Sequence, residues 1–162
     1  MKPFFLRAIL IAALVLGPAA AHADKDAEVT AHAAVLDLAG AFTNDGFKLR
    51  DGDYVGTLTA GQAMVIQVNL YAGNQYWFSV ATADAKGKVS INLYDETGKL
   101  VKADPYVKLA DTGKLATTET DPYANTNRAA AGFAPDTSGP YYVRVADLAG
   151  AAATYCLIYS YK

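Results

Sequence analysis

The stretch GTLTAGQAMVIQVNLYAGNQYWFSVA, from Gly56 to Ala81, decides the fold that the sequence predicts. Apolar side chains recur at every second position from Met64 to Leu70, and again from Tyr76 to Val80. This spacing is typical of half-buried antiparallel strands. The segment 72–75 between them contains Gly and Asn, which tolerate the positive φ of tight turns. The sequence therefore predicts a β-hairpin, onto which the later strands are built.

Turn signals divide much of the remaining chain into further short strands. The clearest of these are Tyr54–Leu58, Val89–Tyr94, Tyr141–Val145 and Thr154–Tyr161. Together with the central pair and shorter segments they make about seven or eight strands, a pattern typical of sandwiches and jelly rolls. We therefore expect an all-β fold, an antiparallel β-sandwich of jelly-roll type.

Two segments lack this alternation. Residues 24–48 are Ala-rich and are predicted as a partly flexible N-terminal segment, in which Val29–Leu38 fits either a short helix or a strand. Residues 102–127 contain two prolines and many polar side chains, and are predicted as a long loop with a brief edge strand at 107–109. Loops of this length are usually functional or mobile. The sandwich domain is expected to span residues 49–162.

Residues 1–23 have the pattern of a secretory signal peptide. Lys2 and Arg7 precede an apolar run from Ala8 to Leu16, and the small-residue sequence Ala21-His22-Ala23 follows. The apolar run is too short to span a bilayer, and the A-x-A ending is typical of a cleavage site. We expect cleavage after Ala23 and a periplasmic or secreted protein, with a retained anchor helix as the less favoured alternative.

Charge and cysteine content exclude several classes of protein. The net charge is −2 and becomes more negative once Lys2 and Arg7 are removed, whereas nucleic-acid binding requires clustered basic residues. No later stretch is long enough for a membrane span. Cys156 is the single cysteine, so an internal disulfide is impossible. A buried structural thiol is favoured over an intermolecular disulfide.

Catalysis is not expected. His32 is the one histidine that remains after cleavage, and no G-x-S-x-G or H-E-x-x-H motif is present. A serine or cysteine hydrolase needs a base beside its nucleophile, and one His with one Cys does not complete the usual zinc ligand sets. A small hydrolase is kept as a remote alternative.

Aromatic side chains are the candidate ligand-binding residues. Eleven tyrosines and one tryptophan are present, and several lie near predicted strand ends or loops. Exposed aromatic rings stack on sugars or anchor protein interfaces, although tyrosines also favour half-buried sheet faces. The candidates are Trp77, Tyr71, Tyr94, Tyr106, Tyr123 and Tyr141. On the last strand, Tyr155 and its alternate neighbours share one face and Cys156 shares the other with Ile158, so one of these two faces is expected to point outward.

Calcium is the metal that the sequence permits, since carboxylate and carbonyl oxygens are its usual ligands. Two groups of carboxylates are candidates, although Asx residues beside Gly are more often plain turn formers. The candidate ligands are Asp45, Asp51 and Asp53 near the start of the domain, and Asp104, Asp111 and Asp121 in the long loop.

Several short motifs follow one another over residues 56–161, namely Gly56-Thr57-Leu58, Gly61-Gln62, Asn69–Tyr76, Val89–Leu100, Gly139–Val145 and Tyr155-Cys156-Leu157. Their order resembles the bacterial pre-peptidase C-terminal domain family. The resemblance implies a jelly-roll β-sandwich and a non-catalytic exported accessory module. Some relatives bind calcium, and some bind collagen or polysaccharide. The family's calcium ligands match no cluster here, and no peptidase domain accompanies the module in this sequence.

We therefore expect a non-catalytic exported binding module. Its ligand is expected to be a carbohydrate polymer or a protein surface, met by loop and strand-edge aromatics. The alternative is a structural subunit of an envelope or extracellular assembly that uses exposed sheet edges for pairing.

Overall fold

The computed structural model describes residues 25–101, 104–105 and 126–162. The predicted signal peptide at 1–23 and most of the predicted loop at 102–127 lie outside these residues. One helix and nine strands are described, in the order α1 (Lys25–Thr43), β1 (Lys48–Leu49), β2 (Tyr54–Leu58), β3 (Ala63–Leu70), β4 (Tyr76–Thr82), β5 (Val89–Tyr94), β6 (Asp104–Pro105), β7 (Arg128–Phe133), β8 (Gly139–Asp147) and β9 (Ala153–Tyr161).

The strands form two antiparallel sheets that pack face to face. Sheet A has the order β1-β9-β4-β7-β6, with β2 also paired to β9, and sheet B has the order β3-β8-β5. Side chains from both sheets form one apolar core, which includes Phe78 and Leu157 from sheet A and Val143 and Leu93 from sheet B. The predicted all-β antiparallel sandwich is confirmed, and its jelly-roll topology stays a prediction.

The predicted hairpin between β3 and β4 is wrong. β3 pairs with β8 in sheet B, whereas β4 pairs with β7 and β9 in sheet A. The segment 71–75 therefore crosses from one sheet to the other instead of closing a two-stranded ladder. Both strands carry a continuous apolar face, and these faces are buried by packing across the core. Alternation at period two is the same for strands that pair and for strands that face each other.

Helix α1 forms a third layer on the outer face of sheet A. The segment whose sequence fits either a helix or a strand is a helix of 19 residues, which extends through most of the predicted flexible segment. Its buried positions recur at helical spacing, and acidic residues in the first turn favour its N-terminus. The helix ends where Gly46, at φ 86°, donates its backbone N–H to the carbonyl of Thr43.

The helix explains why β9 is buried on both faces. Tyr155, Leu157 and Tyr159 lie in the core between the sheets, and Cys156 and Ile158 pack against α1. The expectation that one face of this strand points outward is therefore wrong. In the part of the chain that the structure describes, no helix combines the length and the apolar character needed to cross a membrane.

Candidate functional site: a tyrosine cleft

A cleft of about 490 Å³ opens where β4 begins and β9 ends. These two strand ends are neighbours because Tyr76 of β4 pairs with Tyr161 of β9. Residues before β2 and in the crossing between β3 and β4 complete its walls. We call it the tyrosine cleft, and it is lined by Leu49, Arg50, Asp51, Tyr71, Asn74, Tyr76, Tyr159 and Tyr161.

Four tyrosines of the cleft divide into a buried pair and an exposed pair. Tyr76 and Tyr159 belong to the core and are 4% and 5% exposed. Tyr71 and Tyr161 are 60% and 38% exposed. The hydroxyl of Tyr76 accepts hydrogen bonds from the backbone N–H of Tyr71 at 2.9 Å and from the Asn74 side-chain amide at 3.2 Å. The buried ring thus ties the crossing segment to the core through these two hydrogen bonds.

Arg50 adds a cation to the tyrosines. Its backbone N–H donates to the carbonyl of Tyr159 at 3.0 Å, and its guanidinium carbon lies 5.5 Å from the centroid of the Tyr159 ring. This is the geometry of a cation–π contact. Among the described side chains no carboxylate forms an ion pair with Arg50, although Asp51 follows it in the same wall.

The Tyr159 phenol stays protonated at neutral pH. Burial raises the pKa of Tyr159, and the nearby Arg50 charge opposes this effect only in part. The cleft therefore offers aromatic faces, hydrogen-bond donors from Arg50 and Asn74, and carboxylate acceptors from Asp51. Such a mixture suits a ligand that has both apolar faces and many hydroxyl groups.

The structure distributes the predicted aromatic residues over different parts of the molecule. Tyr71 lies in the tyrosine cleft. Tyr94 is half-buried on β5, directly opposite Tyr142 of β8. Tyr141 is 6% exposed and packs in the core, because it points inward where Tyr142 points outward. Its hydroxyl donates a hydrogen bond to the carbonyl of Thr137 at 3.0 Å. Tyr106 and Tyr123 lie outside the described residues.

Trp77 is held between helix α1 and sheet A. Its ring stacks on Phe42 with centroids 4.5 Å apart and planes at 9°. It also lies against Gly132 of β7, where an added Cβ would come within 2.8 Å of the ring. The ring is thus packed by the protein itself. The prediction that Trp77 binds a ligand gains no support from this position.

The predicted carboxylate ligands are not gathered at one place. Asp45 lies in the turn after α1, Asp51 lies in the tyrosine cleft, and Asp53 contacts other side chains described below. Within residues 25–101 and 126–162, no three His, Cys, Asp or Glu side chains form a group that would hold a metal. The side chains of Asp104, Asp111 and Asp121 lie outside the described residues, and calcium binding stays a prediction.

Asp53 lies between His32 and Cys156. One of its carboxylate oxygens is 3.8 Å from His32 Nε2 and accepts a long contact of 3.8 Å from the Cys156 thiol. Burial, reinforced by the Asp53 charge, raises the pKa of Cys156 to about 12. A reactive cysteine needs a lowered pKa and a base in direct contact. This arrangement therefore keeps the thiol protonated and inert, as predicted for a buried structural cysteine.

Several cleft residues are absent from the sequence prediction, namely Leu49, Arg50, Asn74, Tyr76, Tyr159 and Tyr161. Alternation assigns Tyr159 and Tyr161 to one face of β9, but it does not place that face beside residues 49–51. The pairing of β1 and β4 with β9 brings them together.

Comparison with known proteins gives distant likenesses to solved structures. No protein-family model matches the chain, and neither does any curated protein. PliG of Aeromonas hydrophila, a periplasmic inhibitor of g-type lysozyme, is 14% identical with a TM-score of 0.42, over 68% of this chain and 85% of PliG. CorA of Methylomicrobium album BG8, a surface-associated copper-binding protein, is 12% identical with a TM-score of 0.45, over 66% of this chain and 91% of CorA. The CspB protease of Clostridium perfringens is 12% identical with a TM-score of 0.41, over 67% of this chain and 25% of the protease. At these levels of identity and TM-score, no function passes from these proteins to this chain.

Proposed function

We propose that the protein is a non-catalytic exported binding module that takes a carbohydrate polymer in the tyrosine cleft. The observation that carries the proposal is the meeting of four tyrosine rings with Arg50, Asp51 and Asn74 in one open cleft. The order of motifs that resembles the pre-peptidase C-terminal domain family supports the same role, and membership of that family is part of the proposal. The signal-peptide pattern supports a periplasmic or extracellular location.

The chemistry of the cleft suits a sugar ring. A pyranose presents C–H groups on its faces, which pack against aromatic rings, and hydroxyls at its edges, which need donors and acceptors. The exposed rings of Tyr71 and Tyr161 supply the first kind of contact. Arg50, Asn74 and Asp51 supply the second. The cleft volume of about 490 Å³ is within the range of small-ligand sites and is large enough to hold a sugar ring of such a polymer.

The proposal is tested by binding of the purified protein to a panel of soluble polysaccharides, with calcium and with a chelator. We expect a saturable interaction with at least one polysaccharide. Tyr161→Ala and Tyr71→Ala are each expected to weaken it by about tenfold or more, as for a central interface aromatic. Tyr94→Ala is the matched control because this tyrosine lies on the other sheet and is not part of the cleft lining.

Two outcomes would overturn the proposal. One is the absence of polysaccharide binding, with saturable binding to an extracellular-matrix or envelope protein in its place. The other is polysaccharide binding that Tyr94→Ala weakens as much as Tyr161→Ala does. Loss of binding on chelation would support the predicted calcium site.

A further inference from the structure

Strand β3 is an open edge of sheet B. The order β3-β8-β5 leaves it paired on one side only, along its full length from Ala63 to Leu70. None of the backbone hydrogen bonds formed outside the strand ladders by the described residues involves this strand. Within the described part of the chain, nothing occupies the row of backbone donors and acceptors on its free side.

The opposite edge of sheet B is closed. The backbone N–H of Val101 donates to the carbonyl of Leu93, and the N–H of Val89 donates to the carbonyl of Thr126. Tyr94 also forms a bridge with Leu100 as the chain turns back. Chain segments on both ends of β5 thus occupy backbone groups that would otherwise accept a new strand, and β3 has no such cover among the described residues.

β3 also lacks the features that usually prevent edge pairing. Soluble proteins protect such edges with charged side chains, prolines or bulges. The sequence AMVIQVNL contains no charged residue, proline or glycine. Met64 and Val65 are 41% and 56% exposed. The edge is regular, uncharged and partly apolar, which are the properties that favour strand addition.

The absence of charge extends well beyond β3. The run from Tyr54 to Ala83 contains no Lys, Arg, Asp or Glu. It includes β2 of sheet A, which the turn 59–62 joins to β3. Val55 on β2 is also exposed. Strand β3 itself therefore brings no like charges together when it pairs with a copy of itself.

We propose that β3 is a homodimer interface, in which two copies of the chain pair β3 with β3 in antiparallel fashion. The two copies of sheet B then form one continuous six-stranded sheet. Eight residues span about 27 Å, and the edge of a two-sheet sandwich is about 20 Å thick, so the two copies together bury about 1,000 Å². This area is close to the lower limit for a specific interface. The inference is independent of the ligand proposed for the cleft.

The test is sedimentation equilibrium of the purified protein over a dilution series. We expect a mass twice that of the monomer at high concentration and dissociation on dilution. The double variant V65E/Q67E is expected to weaken the dimer by about tenfold or more, since it places carboxylates along both copies of the strand. The carboxylate introduced at position 65 would lie opposite Arg144 of β8, a favourable pair that preserves the monomer fold. V29E, at an exposed apolar position on α1, is the matched control.

Hydrogen exchange of the unaltered protein gives a second measurement that needs no variant. The amides of β3 are expected to exchange more slowly at high than at low concentration, while those of the central strand β8 do not change. A monomer at every concentration would overturn the proposal. The free edge of β3 would then be a candidate binding site for a strand of another protein. A dimer that V65E/Q67E affects no more than V29E would also overturn it, because the interface would then lie elsewhere.

Discussion

The docking of helix α1 on sheet A depends on Phe42, and Phe42→Ala is the sharpest test of the three-layer fold. Phe42 is 2% exposed, stacks on Trp77 at 4.5 Å and meets Phe47 edge-on at 6.5 Å. Removing a buried phenylalanine ring typically costs about 3–5 kcal/mol, of which the lost aromatic pair contributes about 0.5–1.5 kcal/mol. This is a large part of the stability of about 5–15 kcal/mol that is usual for a domain.

The assay is equilibrium unfolding in urea, followed by tryptophan fluorescence and by far-ultraviolet circular dichroism. Trp77 is the only tryptophan, so its emission reports the packing of α1 on the sheet. With a slope of about 2 kcal/mol per molar urea, a loss of about 4 kcal/mol lowers the midpoint by about 2 M. The emission of the folded variant is also expected to shift to the red, because water reaches the ring face that Phe42 covers.

Val29→Ala is the control for this experiment. Val29 lies on the same helix, is 68% exposed, and its substitution is expected to change the free energy of unfolding by less than about 0.5 kcal/mol. A loss below about 1 kcal/mol for Phe42→Ala, with an unchanged emission maximum, would refute the inference that α1 is packed on Trp77.

Four further predictions concern particular contacts. Gly132→Ala is expected to lower the free energy of unfolding in urea by about 1–3 kcal/mol, because the new methyl group would lie 2.8 Å from the Trp77 ring. Gly40→Ala, in the helix interior with open space around it, should instead raise the free energy of unfolding by about 0.5–1 kcal/mol. Equal shifts of the same sign for the two variants would contradict both predictions. The Cys156 thiol, whose pKa is raised to about 12, should not react with a thiol reagent at pH 8 until urea unfolds the protein. The raised pKa also makes stability depend on pH. Above the ordinary pKa of 9 the thiol of the unfolded chain loses its proton first, so the stability of the native protein is expected to fall between pH 9 and 12. Cys156→Ala should flatten this part of the plot of stability against pH. Hydrogen bonds from the Thr97 hydroxyl and from backbone N–H groups lower the pKa of Asp95. The unaltered protein is therefore expected to be more stable than Asp95→Asn above pH 3.8, and to lose this advantage as the pH falls through the native pKa. A stability difference between the unaltered protein and Asp95→Asn that stays constant with pH in thermal unfolding would contradict this prediction.

Local sequence determined the identity of most strands and turns. The alternation in β3, β4, β5 and β9 predicts strands because side chains of a strand point to opposite faces in turn. Gly73 and Gly98 adopt the positive φ expected at their turns. These properties depend on a few adjacent residues, so the sequence alone was sufficient to predict them.

Pairing between distant segments was decided by the tertiary structure. The same alternation is compatible with a hairpin and with two strands that face each other across a core, and only the partners of β3 and β4 distinguish the two arrangements. The Ala-rich segment became a long helix because sheet A offered a small-residue surface on which to bury it. That helix in turn covered Trp77 and Cys156. Sequence patterns alone did not decide whether these two side chains face the solvent or the core.

The tyrosine cleft shows the same division. The sequence by itself determined that tyrosines are frequent and that Tyr71 lies near the end of a strand, because composition and strand periodicity are local. Only the tertiary structure placed Tyr71, Arg50 and Tyr161 around one cavity, because they come from three segments that pairing with β9 and β4 brings together. A site built from long-range pairs leaves no periodic signal in the chain, since each residue's role depends on partners that are distant in sequence.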